Sequence, residues 1–323
     1  MFTVFGFVLG SYTRSKIIQE SLTECECVLS VKTVAIIGFG QLGSSLGMAL
    51  RGRGVRRVGW SRRPESRAKA LADDVVDAAA DTPEAALAEA DLCVLCLPIP
   101  NTVEFALAHA GAFKPGSVVT DVGSVKRAIV APVAPALRAR GVGFVGGHPM
   151  AGSEKSGAEA ARPGLYQGAT VFVTPAPGGR DAEVEAVEAF WRLVGAVCVR
   201  IGAEEHDAVV ARSSHVAHVS AIALVEAALG AGNPLRGRCW QACAGGFRDS
   251  TRIASSNPRM WREIFEANQA EVLQACDAVA EVFASIRADV ARGDFDAFER
   301  AMARAKELRD RWLEDYNAGK VQN

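Results

Sequence analysis

An α/β fold, with a doubly wound parallel sheet first and an all-α region after it, is what this sequence predicts. Three observations carry that expectation. From residue 33 to about 201, short runs rich in Val, Ile and Leu alternate with helical stretches, the pattern of βαβ units feeding one parallel sheet. Glycine-rich turns stand where strands hand over to helices. From Ala203 onward the apolar period becomes helical and stays so.

The 323 residues suffice for about two domains, and with 49% hydrophobic residues a core is easily filled. A formal net charge of −1, with Lys and Arg dispersed, offers no electrostatic footprint for nucleic acid. Residues 1–31 read as an extension: they open on an apolar stretch with no basic leader region before it and no clean cleavage site after it. That stretch is too short to span a bilayer, no later one is expected to approach a membrane-spanning run, and no membrane partner is expected. Eight cysteines are present, of which Cys93 and Cys96 form a C-x-x-C inside a strand-like run. Small apolar core residues are the better reading there, and reduced thiols imply a cytoplasmic protein.

Organised structure starts at Lys32. Residues 33–37 form a strand, followed by Gly38-Phe39-Gly40-Gln41-Leu42-Gly43 and a helix over 44–53. G-x-G-x-x-G between strand and helix is the dinucleotide fingerprint of a Rossmann-type sheet. Gly38 permits the tight turn, Gly40 lets the backbone approach a pyrophosphate, and Gly43 lets helix and strand pack closely. Gln41 and Leu42 belong to the same binding loop. The second strand, 55–60, ends in Ser61-Arg62-Arg63, where an NAD-binding fold commonly carries an acidic residue for the ribose hydroxyls. Without that carboxylate, and with two arginines able to pair with a 2′-phosphate, NADP is favoured and NAD remains possible.

Alternation continues with a helix over 65–72, a strand over 91–97 ending at Pro98, a helix over 101–111 and a strand over 117–121. Asp121-Val122-Gly123-Ser124-Val125-Lys126 then opens a helix reaching about residue 140. A strand over 142–145 delivers the most distinctive stretch, Gly146-Gly147-His148-Pro149-Met150-Ala151-Gly152-Ser153-Glu154-Lys155-Ser156-Gly157. Its histidine, on a Gly/Pro-shaped loop past a strand, stands where an α/β enzyme places a general base. The glycine loop, Pro98, Ser124 and His148 all follow C-terminal strand ends, which share one edge of such a sheet, so Ser124 and His148 can face a bound nicotinamide. Ser124 can equally cap its helix. Strands over 169–174 and 196–201, with a helix over 181–194 between them, extend the same sheet.

The helical region holds a long helix over 204–229, shorter ones over 234–256, and two more over 258–292 and 295–316. The long helix carries His206, Asp207, Arg212, Ser213, Ser214, His215 and His218. His215 and His218 share a face, but no third ligand stands in register, so no metal is expected. In Gly245-Gly246-Phe247-Arg248-Asp249-Ser250-Thr251-Arg252-Ile253, either arginine suits an anionic substrate.

Taken together, GFGQLG, DVGSVK, GGHPMAGSEKSG, HDAVVARSSHVAH and GGFRDSTRIASSNPRMWREI resemble, in order, the signatures of the prephenate and arogenate dehydrogenases of tyrosine biosynthesis, over residues 33 to about 315. The resemblance implies oxidative decarboxylation of a cyclohexadienol, with hydride passing to nicotinamide. It implies that His148 takes the 4-hydroxyl proton with Ser124 orienting it, and that Arg252 holds a substrate carboxylate. It further implies that His215, His218 and Trp261 shape the pocket and that Ser153, Glu154 and Asp249 stand at its mouth. A domain division follows: extension 1–31, dinucleotide-binding 32–202, and helical substrate and dimerisation domain 203–323, pairing as a homodimer. Where many members read His-Leu-Pro-His, this chain reads His215-Val216-Ala217-His218, and losing the proline predicts a locally straighter helix. A β-hydroxyacid-type dehydrogenase is the alternative enzyme. It would need a lysine on the first long helix, and none occurs between Lys155 and Lys306. A non-catalytic dinucleotide sensor would leave His148, Ser124 and Arg252 without a purpose.

Overall fold

The computed structural model describes residues 31–152 and 157–318. An eight-stranded sheet in the order β3-β2-β1-β4-β5-β6-β7-β8 forms the first part. Its elements run β1 (Thr33–Ile37), α1 (Gln41–Ala49), β2 (Arg56–Trp60), α2 (Pro64–Ala72), β3 (Ala78–Ala79), α3 (Pro83–Leu87), β4 (Leu92–Leu95), α4 (Ile99–Ala108), β5 (Val118–Asp121), α5 (Arg127–Arg138), β6 (Gly143–Pro149), β7 (Thr170–Pro175), α6 (Asp181–Leu193) and β8 (Val197–Arg200). Strands β1 to β6 are parallel. Strand β4 and, after Thr33, strand β1 are apolar and buried at every position because both faces are covered. Val34 and Ile36 enter one core and Ala35 and Ile37 the other, as the two-residue pleat requires. Cys93 faces the second core, and burial pushes its thiol and that of Cys96 far up, so neither is poised as a thiolate.

Several expectations are corrected. The sheet is not wholly parallel: β7 runs antiparallel to β6, with β8 parallel to β7. The short β3 and α3 were not foreseen. His148 does not sit on a loop, because β6 runs on to Pro149 and His148 pairs with Phe172. Helix α5 begins only at Arg127, so Ser124 does not cap it; the Asp207 carboxylate, arriving from the helical region, accepts from the backbone N–H of Lys126 and Arg127 instead.

The helical part comprises α7 (Ala203–Val210), α8 (Val216–Leu229), α9 (Arg236–Ala242), α10 (Gly245–Thr251), α11 (Pro258–Ala267), α12 (Gln269–Arg292) and α13 (Phe295–Asn317). Helices α7 and α8 are joined by a π-helical turn, Ala211–His215, so the irregularity lies before the Val216-Ala217 segment, which is regular α. The span Ala203–Leu229 does reach the length and hydropathy of a membrane-crossing helix, contrary to expectation. Its first half is nonetheless wedged into the fold, with His206, Asp207, Val210, Ala211 and His215 buried. The helix expected over 258–292 is broken at Asn268, whose φ of −127° is not helical. Its buried amide Nδ2 instead donates to Asp207 O and His215 Nδ1.

Candidate active site

Strand order reverses beside β1, and a crevice opens there at the C-terminal strand ends, where open α/β sheets bind ligands. Gly38 adopts φ +98°, and a Cβ there would lie 2.5 Å from Cys96 O. A Cβ on Gly43 would lie 2.0 Å from Gly38 O, so helix and loop touch backbone to backbone. A Cβ on Gly40 would meet nothing within 4 Å: that residue faces open space at the N-terminus of α1, which no side chain caps among the described residues. Close packing at two glycines, an open approach at the third and an uncapped helix start fit a dinucleotide pyrophosphate.

Two cavities meet at this loop. The outer one is lined by Gly38, Gly40, Ser61, Arg63, Lys69 and Pro98. The inner one, about 810 Å³, is lined by Gly40, Gln41, Leu42, Arg62 and Pro98 on one side. Ser124 and His148 form its floor, and His215, His218, Arg252 and Trp261 its helical wall. The residues proposed from sequence for base, anion and cofactor contacts thus share two adjoining spaces, apart from Gly43, which packs beneath the loop. Ser153 and Glu154 lie outside the described residues. Asp249 is exposed and pairs with Arg248 at 3.0 Å.

His148 sits above a buried polar network. Beneath it, the fully buried Lys126 ammonium donates to Asp121 Oδ2 and, at 2.6 Å, to Gly147 O. Asp121 also accepts from the Gly123 and Gly147 amides at 2.8 and 3.0 Å. Satisfying both partners this fully is what makes a buried ion pair tolerable. The two glycines before His148 are explained by crowding, since neither has a positive φ. A Cβ on Gly147 would lie 2.5 Å from Asp121 O, and one on Gly146 would lie 3.1 Å from Lys126 Cδ. His148 Nδ1 lies 2.8 Å from His206 Nε2, and His206 Nδ1 lies 2.8 Å from Asp207 Oδ1. Burial, with His206, Lys126 and His215 nearby, holds the His148 imidazole well below its usual titration range, hence neutral at physiological pH. Among the described residues, no hydrogen bond links Ser124 to His148.

On the helical wall the π turn brings Ser214 and His215 into the cavity, a common use of a widened turn. Burial lowers His215 to about 4, against the pull of Asp207. His218 stacks on Trp261 with centroids 3.5 Å apart, and its Nδ1 donates to Ser214 O at 3.1 Å. Burial lowers this histidine too, and Arg252 adds to the effect. Sequence reading gave no role to Asp121, Lys126, His206, Asp207 or Asn268. Four of these stand inside quoted motifs, but the pairing of Lys126 with Asp207 across 81 residues and of His148 with His206 across 58 left no mark in spacing.

A neutral histidine and an arginine lining one cleft, beside a loop shaped for a dinucleotide, fit an oxidoreductase that uses a nicotinamide cofactor. The nucleotide-binding domain model of prephenate dehydrogenase matches residues 46–200, and the dimerization domain model of the same enzyme matches 202–304. The chain belongs to the prephenate dehydrogenase family. It is 36% identical over 287 residues to a prephenate dehydrogenase of Bacillus subtilis, covering 86% of this chain and 75% of that one. Among solved structures, a prephenate dehydrogenase from A. aeolicus, in complex with hydroxyphenyl propionate and NAD+, matches with a TM-score of 0.81 at 32% identity, over 88% of this chain and 99% of that one. A Synechocystis arogenate dehydrogenase matches with a TM-score of 0.77 at 26% identity, over 87% and 99%.

Proposed function

We propose that this protein catalyses the oxidative decarboxylation of prephenate or arogenate, with NADP as the favoured oxidant and NAD as the other candidate. The observation that carries the reading is the single inner cavity shared by the glycine loop, His148 and Arg252. When bound, the nicotinamide supplies the hydride acceptor. Gly40, Gln41 and Leu42 would hold the pyrophosphate on the loop that Gly38 and Gly43 shape, and Arg62 and Arg63 a 2′-phosphate, with Ser61 leaving no carboxylate to repel it.

In this mechanism the neutral imidazole of His148 accepts the C4 hydroxyl proton while the C4 hydrogen leaves as hydride. Loss of CO2 from C1 returns its bonding pair to the ring, which becomes aromatic, and the oxygen recovers its proton from His148. Arg252 holds a carboxylate of the substrate, His215, His218 and Trp261 wall the ring, and Ser124 contacts the hydroxyl. An imidazole kept neutral by burial suits the base role at working pH. The free cysteines among the described residues support a cytoplasmic setting. Exposed Leu224, Val282, Phe283, Met302, Leu308 and Trp312 on α8, α12 and α13 support a homodimer through these helices, since apolar faces of this extent call for a partner. Sedimentation as a monomer at micromolar concentration would count against that pairing.

The test is a rate comparison across the four pairs of prephenate or arogenate with NADP or NAD. At least one pair should turn over, and NADP pairs should be the faster. In His148→Asn every rate should fall by roughly 10²–10⁴-fold with cofactor affinity kept. Silence of all four pairs would sink the activity, and near-normal turnover in His148→Asn would remove the base assignment.

A further inference from the structure

We infer that His206 and Asp207, from the start of the helical region, fix the tautomer of His148 and so make it a base; the inference rests on the assignment of His148 above. The argument is one of donors and acceptors. Both oxygens of Asp207 already accept backbone N–H groups, Oδ1 from Lys126 at 2.7 Å and Oδ2 from Arg127 at 3.0 Å. Facing His206 Nδ1 at 2.8 Å, Oδ1 takes a third hydrogen. A neutral His206 therefore carries its proton on Nδ1 and has only a lone pair on Nε2. The group facing that lone pair, His148 Nδ1 at 2.8 Å, must donate. His148 is thereby held as its Nδ1–H form, and its other nitrogen, Nε2, is left with the lone pair that a proton acceptor needs.

The dyad lies where water cannot substitute for it. His206 and Asp207 are fully buried. Facing His206 are His148 on β6, Asp121 at the end of β5 and Lys126 just after it, His215 on the π turn, and the apolar ring of Phe172 on β7, edge-on at 5.5 Å. When His148 Nε2 takes the substrate proton, its Nδ1–H keeps donating to His206, and Asp207 faces the imidazolium through one intervening ring. The proton itself stays on Nε2 and returns from there, so the dyad gains and loses nothing. His206 and Asp207 are positioning residues: they touch the base, not the substrate. This arrangement also makes the base depend on docking between the two regions of the chain, because the acceptor for a β6 side chain is delivered by α7.

His206 is the residue to change, because Asp207 also caps α5. In wild-type protein labelled with ¹⁵N-histidine, the His148 resonances, assigned by difference against His148→Asn, should show a pyrrole-type Nδ1 and a pyridine-type Nε2. His206→Phe keeps a ring of similar size and removes the acceptor. It should release His148 to the Nε2–H form and lower kcat by roughly 10²-fold with cofactor affinity unchanged. His206→Gln places an amide oxygen where Nε2 stood and should recover kcat to within about tenfold of wild type. Three results would each overturn the inference: a wild-type Nε2–H tautomer, unchanged kcat in His206→Phe, or equal losses in the Phe and Gln variants, which would mark packing as the cause. The last two leave the base assignment standing, and that assignment is read separately from the turnover of His148→Asn; only the Nε2–H tautomer would count against both.

Discussion

Gly38, Gly40 and Gly43 follow β1, and Gly146 and Gly147 lie within β6, at the same edge of one sheet, yet glycine is required at the two places for different reasons. In the first, one glycine supplies a left-handed turn, one lets a helix touch the loop, and one borders empty space. In the second, both are extended strand residues that leave room for a buried lysine, its aspartate and the strand beside them. The first cluster makes space for a ligand and the second for the protein's own charged interior. A Gly-rich stretch before a histidine is therefore not evidence of a mobile loop.

Substituting Gly147 tests this most severely. Gly147→Ala drives a Cβ against the backbone oxygen of Asp121, which cannot swing aside, so strand β6 must shift. Overpacking of this kind costs about 1–3 kcal/mol, and because His148 is the next residue, kcat should fall together with the urea midpoint. Unchanged stability would mean that β5 and β6 are less tightly apposed than their register indicates. At the first cluster the corresponding effect falls on affinity. Replacing both Arg62 and Arg63 by Ala should weaken NADP about 10- to 100-fold, the worth of one or two charge-assisted hydrogen bonds, and leave NAD nearly unaffected in fluorescence titrations. Equal losses for both cofactors would discard the 2′-phosphate contact.

A smaller effect separates the clusters by pH. Only the second is surrounded by buried histidines. His215 titrates near 4 in the folded chain and near its ordinary 6.5 when unfolded. Below pH 6.5 the unfolded chain takes up a proton that the folded chain refuses. Stability is thus complete above about pH 6.5 and declines as pH falls toward 4. At pH 5.5 this one residue should cost about 1 kcal/mol. Urea unfolding of wild type and His215→Gln at pH 7.5 and 5.5 should show the variant losing less on acidification, by about that amount. Identical losses would show that His215 titrates as if exposed.

The two clusters also differ in how far they could be read in advance. The strand-loop-helix around Gly38 is local, with every contact inside one βαβ unit or the next strand, so spacing and periodicity carry it. The strands β1, β4 and β5 are legible for the same reason: short buried runs rich in Val, Ile and Leu, bounded by turn residues. What surrounds Gly147 is assembled from afar. Lys126 and Asp121 lie more than 20 residues before it, and His206 lies 58 residues beyond His148. A run ending in Gly-Gly-His-Pro gives no sign that the strand continues through it, because pairing with β7 is what holds it extended. The break at Asn268 was hidden likewise: asparagine is tolerated in helices, and only its bonds to Asp207 and His215 show why it leaves one.

Gly40→Ala is the smallest perturbation and the one that isolates the open side of the comparison. Gly40 has φ −79° and ψ −166°, a conformation alanine adopts freely, and its Cβ would enter empty space. Alanine is a poorer helix N-cap than glycine, but it restricts the unfolded chain more, and these terms, each about 0.5–1 kcal/mol, oppose one another. The net change in stability should fall within about 0.5 kcal/mol. The added methyl nonetheless stands where a pyrophosphate would lie against the backbone, so the KM for NADP and for NAD should rise together, severalfold or more, with the urea midpoint fixed. A loss of stability as large as that of Gly147→Ala would mean that the space beside Gly40 is filled by the protein itself and not kept for a cofactor.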